Sequence, residues 1–245
     1  MCLLALFFRV VPGAPVIVAA NREEMYARVG EPPRILEGSP RSVAGVDPVA
    51  GGTWLGVNEH GVIVAVTNRR KSEPPAKPRS RGLLVRDLLA RASALEAADQ
   101  AARELGGNDY AGCNLVCVDE YRAIVLHAGD WLRVRPLPSG IHVLTSHDVN
   151  DASDPRLGHA LNWLASRRYS NSEECVSALQ ELCGQAGNGG PPICLHGEKS
   201  GTVSSSIVAL RKPLSNSVYR HAQGPPDREP YADVSPLLHA IFERS

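Results

Sequence analysis

An excess of charge of either sign is missing from this chain: 26 basic side chains cancel 26 acidic ones across 245 residues. With no net field to gather nucleic acid or an anionic lipid surface, neither partner is expected. Aromatic residues make up only 5%, which argues against a platform for stacking bases. No apolar run reaches the roughly 20 residues of a membrane span, so no integral membrane segment is expected. The six cysteines contain no CxxC pair, and no HExxH or HxH ligand pair occurs; no metal site is expected on these spacings. CxxCH is absent too, which excludes covalent haem attachment. Gly51-Gly52-Thr53-Trp54 has no Lys at phosphate-loop spacing, and Ser204-Ser205-Ser206 lacks the glycines of a nucleophile elbow.

What is present is ordinary for a folded protein: 43% hydrophobic and 21% charged residues. Residues 1–245 read as a single domain. Cys113 and Cys117 stand four apart in a strand-like run and should share one face of a sheet. Cys175 and Cys183 lie in a helical pattern. Apart from Cys2, the cysteines read as buried, reduced thiols.

The first residues, Met1-Cys2-Leu3-Leu4-Ala5-Leu6-Phe7-Phe8, have the apolarity of a signal segment but no basic residues before them. Arg9 interrupts the run, Pro12-Gly13-Ala14-Pro15 makes a turn, and Val16 to Ala20 continues it. Two short apolar runs joined by Pro and Gly read as a buried hairpin, and the protein as cytoplasmic. The first strand is apolar on both faces and should sit in a sheet covered on both sides. Further strands are expected near 53–57, 62–67, 112–118, 122–128, 131–135, 141–145, 203–210 and 217–222. Helices are expected near 80–105, 155–168, 172–184 and 233–243. Asp154-Pro155 supplies a cap and a first-turn proline for the second of these, and Gly106-Gly107-Asn108-Asp109 ends the first. Blocks of strands alternate with blocks of helices, which implies an α+β fold of antiparallel sheets layered with helices.

Cys2 follows the initiator directly. Removal of Met1 would leave one residue carrying both a thiol and an α-amine, with reference pKa values of about 8.5 and 7.7–8.0. Such a residue supplies nucleophile and base together. A turn spanning Pro12 to Pro15 sets Val11 opposite Val16 and carries Cys2 to about Met25, beside Asn21-Arg22-Glu23-Glu24. A one-residue slip exchanges faces, so the register leaves open which of these side chains meets Cys2. A positive charge there would favour the thiolate.

Seven motifs then occur in order: Met1-Cys2; Asn21-Arg22-Glu23-Glu24; Gly51-Gly52-Thr53-Trp54-Leu55-Gly56; Asn58-Glu59-His60-Gly61 with a strand ending in Thr67-Asn68-Arg69; Ser80-Arg81-Gly82-Leu83-Leu84; Tyr110-Ala111-Gly112-Cys113-Asn114-Leu115; and Gly201-Thr202-Val203-Ser204-Ser205-Ser206. Together they resemble the NRDE family, also called the transport and Golgi organisation 2 family, which is similar in layout to N-terminal-nucleophile hydrolases of the choloylglycine hydrolase type. The resemblance implies a four-layer αββα sandwich and cleavage of a non-peptide amide bond in a small or lipid-like substrate. It implies Cys2 as nucleophile, Arg22 and Glu23 flanking it, and Asn68 in the oxyanion hole. Asn21 and Trp54 are expected at the substrate, with His147 where a second oxyanion Asn would stand. Two positions depart from the pattern: Glu23 replaces an Asp, and Val203 replaces an Arg. No cofactor is called for. The alternative reading is a non-catalytic carrier of an apolar ligand such as haem or an acyl lipid, in keeping with the family's links to secretory organisation and to lipid or haem handling. A homo-oligomer is left open.

Overall fold

The computed structural model describes residues 2–107, 109–187 and 189–243. Met1, whose removal the expected N-terminal chemistry would require, lies outside them, as does Asn108 of the expected loop. Strand β1 (Leu3–Val11) is apolar on both faces because both faces are covered. Leu3, Ala5 and Phe7 join a core shared with helices, whereas Leu4, Leu6 and Phe8 join a core shared with a second sheet. Strand β2 (Ala14–Met25) divides in the same way, with Ile17 and Ala19 outward and Val16, Val18 and Ala20 inward.

The remaining strands are β3 (Glu31–Leu36), β4 (Ser42–Val46), β5 (Leu55–Asn58), β6 (Ile63–Asn68), β7 (Cys113–Val118), β8 (Ala123–Ala128), β9 (Leu132–Pro136), β10 (Gly140–Leu144), β11 (Ser200–Leu210), β12 (Val218–Ala222) and β13 (Ala232–Asp233). They form two antiparallel sheets, ordered β10-β1-β2-β11-β12-β13 and β3-β4-β5-β6-β7-β8-β9. Helices α1 (Arg81–Leu88) and α2 (Ala94–Gly106) cover the outer face of the second sheet; α3 (Pro155–Ala165) and α4 (Ser172–Cys183) cover that of the first. Helix α5 (Ser235–Phe242) places Leu238, Ile241 and Phe242 in the core between the sheets. This is the αββα layering expected. Cys113 and Cys117 do share one face, the one toward α1 and α2.

Three expectations need correction. The single helix over 80–105 is two, because Ser93 caps a new start: its side chain accepts from the Glu96 N–H at 3.2 Å and the Glu96 carboxylate accepts from the Ala92 N–H at 3.1 Å. β3 is a strand where none is expected, because Pro32-Pro33 reads as non-strand; the prolines are tolerated at the sheet's edge, where no ladder N–H is demanded on the open side. The hairpin register also differs. The turn is the two residues Pro12-Gly13, with Val11 opposite Ala14, and an irregularity between Phe8 and Val11 places Arg9 at φ 52°. Leu3 therefore pairs with Asn21, and the next step sets Cys2 level with Arg22 instead of Met25.

Candidate functional site

With the register fixed, alternation sorts the Asn-Arg-Glu-Glu block. Asn21 pairs with Leu3, whose side chain belongs to the outer, helix-facing core. Its amide is fully buried and donates to the carbonyls of Cys183 and Ile193 at 3.0 and 3.2 Å. Asn21 thus ties the sheet to the end of α4 and does not reach the cleft that Cys2 lines. Arg22 faces inward, on the same side as Cys2.

Cys2, Arg22 and Glu23 line a cleft of about 310 Å³ together with Trp54, Asn68 and the residues leading into α1. The Arg22 guanidinium lies 4.5 Å from the Trp54 ring centroid and donates to the Arg28 carbonyl at 3.0 Å. Such stacking, when desolvated, is worth about 2 kcal/mol. The indole fits because Gly30 and Gly45 have no side chains: a Cβ on either would come within 2.7 Å of the ring. Gly51, at φ +70°, turns the chain so that Gly52 can press against the Gly82 backbone, and Thr53 N–H donates to Gly82 O at 3.0 Å. The glycine motif is therefore the seam between Trp54 and the first turn of α1.

Glu23 points to the helix layer. Its carboxylate is held at both oxygens by Arg156 of α3, one of them at 3.2 Å, and Arg156 also donates to the Ile193 carbonyl at 2.7 Å. Burial pushes the Glu23 carboxyl up, and the Arg156 charge and hydrogen bonds pull against it. Burial also pushes the half-buried Cys2 thiol up, and the Glu23 charge adds to this. The Glu23 backbone N–H and the Arg22 guanidinium act in the other direction and do not prevail. The expectation that a nearby cation favours the thiolate is thus outweighed by desolvation.

Asn68 ends β6 and is exposed at the junction of three clefts. His147 lines one of these with Asn68 but is not among the residues lining the cleft of Cys2. His147 instead sets its Nδ1 at 3.2 Å from the Asp154 carboxylate. Val203 is buried in β11.

Several contributors to the site lie outside the candidate residues named from the sequence. Arg28 and Asp47 line the cleft and form a 2.5 Å hydrogen bond; burial opposes ionisation of Asp47, and Arg28, the Val49 N–H and Arg22 together more than offset it, leaving the carboxyl below its ordinary value. Buried Asn114 donates to the Thr145 and His147 carbonyls at 3.0 and 2.8 Å, and its Oδ1 accepts from Arg69 at 3.1 Å and from His127 at 2.8 Å. It pins the loop that carries His147. Asn114 lies within a quoted motif, but nothing local shows which segment it would hold.

Among the described residues no helix is long and apolar enough to cross a membrane. Solved structures share the architecture. The chain is similar to penicillin V acylase from Agrobacterium tumefaciens, with a TM-score of 0.60 at 13% identity, covering 97% of this chain and 88% of that one. It is also similar to the Caenorhabditis elegans N-acylethanolamine-hydrolyzing acid amidase ortholog, with a TM-score of 0.59 at 16% identity over 84% and 92% of the two chains. At these identities the likeness is one of fold. In sequence, 108 residues are 32% identical to the human Transport and Golgi organization protein 2 homolog, covering 42% of this chain and 38% of that protein. The Transport and Golgi organisation 2 family model matches residues 1–188, and the chain belongs to that family.

Proposed function

We propose that the protein is an N-terminal-nucleophile amidohydrolase that cleaves a non-peptide amide of a small or lipid-like substrate, with Cys2 as nucleophile. The observation that carries this reading is the placement of Cys2 immediately before β1, in a cleft whose wall also holds Arg22 and Asn68. The solved structures of similar fold include an acylase and an amidase by name, which supports amide chemistry here.

A thiol attacks as its thiolate, so the Sγ proton needs a base to receive it. After removal of Met1 the α-amine of Cys2 is that base. Sγ bonds to the amide carbon as its proton passes to the α-amine. The carbonyl oxygen becomes an oxyanion, and Asn68 donates to it, an interaction worth about 3–4 kcal/mol per donor. The α-amine returns the proton to the leaving nitrogen as the C–N bond breaks, leaving a thioester. Water, deprotonated by the same amine, hydrolyses the thioester and frees Cys2. Arg22, stacked on Trp54, fixes the inner wall, and Glu23, held by Arg156, anchors the strand from behind. Arginines and carboxylates line the cleft, which favours a substrate with a polar amide end over a wholly apolar cargo such as a bare hydrocarbon chain.

Intact mass of untagged protein, followed by an amide screen with wild type and Cys2→Ala, tests the proposal. The expected result is loss of Met1 and turnover abolished in Cys2→Ala. Turnover by protein that retains Met1, or by Cys2→Ala, would overturn it.

A further inference from the structure

Behind the cleft, a second group of side chains converges on a point that the proposed amide chemistry does not use. Cys194 and His196 stand two apart on an extended segment that pairs with the start of β11: Thr202 N–H donates to Leu195 O at 2.8 Å, and Leu195 N–H to Thr202 Oγ1 at 2.9 Å. Spacing of two on an extended segment directs both side chains to one side. Asp227 arrives from the 223–230 loop, which turns back on itself through hydrogen bonds from the Arg228 and Glu229 N–H groups to Pro225 O, both at 2.9 Å. The Cys194 thiol donates to Asp227 Oδ1 at 3.1 Å, His196 Nε2 lies 2.9 Å from Asp227 Oδ2, and Cys194 Sγ is 3.8 Å from that same Nε2.

The use of one ring nitrogen is what separates the two chemistries such a trio can perform. A Cys–His–Asp relay needs the imidazole between its partners, one nitrogen to the sulfur and the other to the carboxylate. Here both partners meet Nε2, so the sulfur, nitrogen and carboxylate oxygens surround one point instead of forming a chain. Tetrahedral coordination at Zn–S of about 2.3 Å and Zn–N or Zn–O of about 2.0–2.2 Å separates ligand atoms by roughly 3.4–3.6 Å, close to the spacing seen. Among the described residues this is the one group of three or more His, Cys, Asp or Glu side chains whose ligand atoms lie within 4.8 Å of one another.

We propose that Cys194, His196 and Asp227 bind a single divalent transition-metal cation of the zinc class, with the fourth position open to solvent. The donor set supports the metal class: one thiolate, one imidazole and one carboxylate suit a borderline cation such as Zn2+ or Co2+ and do not suit Mg2+ or Ca2+, which take oxygen. Cys194 is buried, while the His196 and Asp227 side chains keep 26% and 17% exposure, which gives the cation an entry path. Binding releases the thiol proton to solvent and joins the 194–202 segment to the 223–230 loop. His196 also lines the cleft that contains Glu23, Glu24 and Asn68, so the cation would brace a wall next to the candidate active site.

The test is titration of the reduced, full-length protein with Co2+ alone under anaerobic conditions, followed by absorbance. The expected result is one equivalent bound with a thiolate-to-cobalt charge-transfer band and the visible bands of a four-coordinate ion, both removed by added Zn2+. Cys194→Ser should abolish the charge-transfer band. Asp227→Asn, which keeps the size of the side chain, should weaken binding by at least about tenfold, as losses around metal sites do. Cys2→Ala should bind as wild type does. Absence of the band from wild type, its persistence in Cys194→Ser, unchanged affinity in Asp227→Asn, or its loss in Cys2→Ala would each overturn the proposal.

Discussion

Glu23 on β2 is gripped by Arg156 at the start of α3, a partner 133 residues further along the chain. Both side chains are largely withdrawn from solvent, at 2% and 13% side-chain exposure. Removing one member of such a pair strands the other's charge in a poor environment, at a cost of about 3–5 kcal/mol. Arg156→Leu is expected to lose that much in urea unfolding, and the double variant Glu23→Leu/Arg156→Leu to recover a large part of it. A loss in the double variant equal to the sum of the losses in Arg156→Leu and Glu23→Leu would show that the pair is not coupled.

The reactivity of Cys2 should follow its raised thiol pKa. Only the thiolate is alkylated, so iodoacetamide should label Cys2 more slowly at pH 7 than a free cysteine, with the rate climbing as pH rises past 9. Arg22 pulls the thiol downward, so Arg22→Leu should slow labelling further at any fixed pH. Mass spectrometry of the modified peptide reads both effects. Labelling that is fast and flat from pH 6 upward would contradict the burial argument.

His127 provides a pH-dependent term in stability. Its Nδ1 donates to Asn114 Oδ1 at 2.8 Å, and its Nε2 faces the Val149 N–H at 3.5 Å, so the neutral ring fits and the charged ring does not. Burial, the larger cause, lowers its pKa from 6.5 to about 4. Above pH 6.5 neither folded nor unfolded chain binds this proton. Between 6.5 and 4 only the unfolded chain does, and stability falls; below 4 the loss is complete, with a ceiling of about 3 kcal/mol. Urea midpoints between pH 4 and 7 should decline less steeply for His127→Asn than for wild type. Identical slopes would remove His127 from the account.

Gly45→Ala should dislodge Trp54. The added methyl would stand 2.7 Å from the ring, and overpacking of this kind costs about 1–3 kcal/mol. In a background with Trp131 and Trp163 changed to Phe, the Trp54 emission should shift toward the red as its stack with Arg22 opens. An unshifted spectrum would mean the indole slot is looser than its geometry implies.

The layered fold was legible where sequence pattern and burial coincide. β1 announced a doubly covered strand because both of its alternating faces are apolar, and Asp154-Pro155 marked the start of α3, where Asp154 accepts from the Arg156 N–H at 2.9 Å. β3 and β4 were hidden by Pro32-Pro33 and by the short Gly-bearing run Ser42–Val46, whose strand character comes from tertiary pairing. The side of the sheet on which Arg22 would lie was hidden by a local irregularity at Arg9, and one such irregularity resets every residue beyond it. Arg156, the Arg28–Asp47 pair and the Cys194–His196–Asp227 trio depend on chain segments brought together from a distance, which no local spacing encodes.

The order in which the first sheet is completed carries a further consequence. β2 has β1 on one side and β11 on the other, and β11 begins at Ser200, beyond the 188 residues matched by the family. At about 5–20 residues per second, synthesis leaves β2 waiting about 10–35 s for that neighbour. During that interval its free edge displays unpaired N–H and C=O groups that invite wrong partners. A chain truncated at 188 would keep Cys2, Arg22, Glu23 and Asn68, yet lack the strand against which Arg22 is registered.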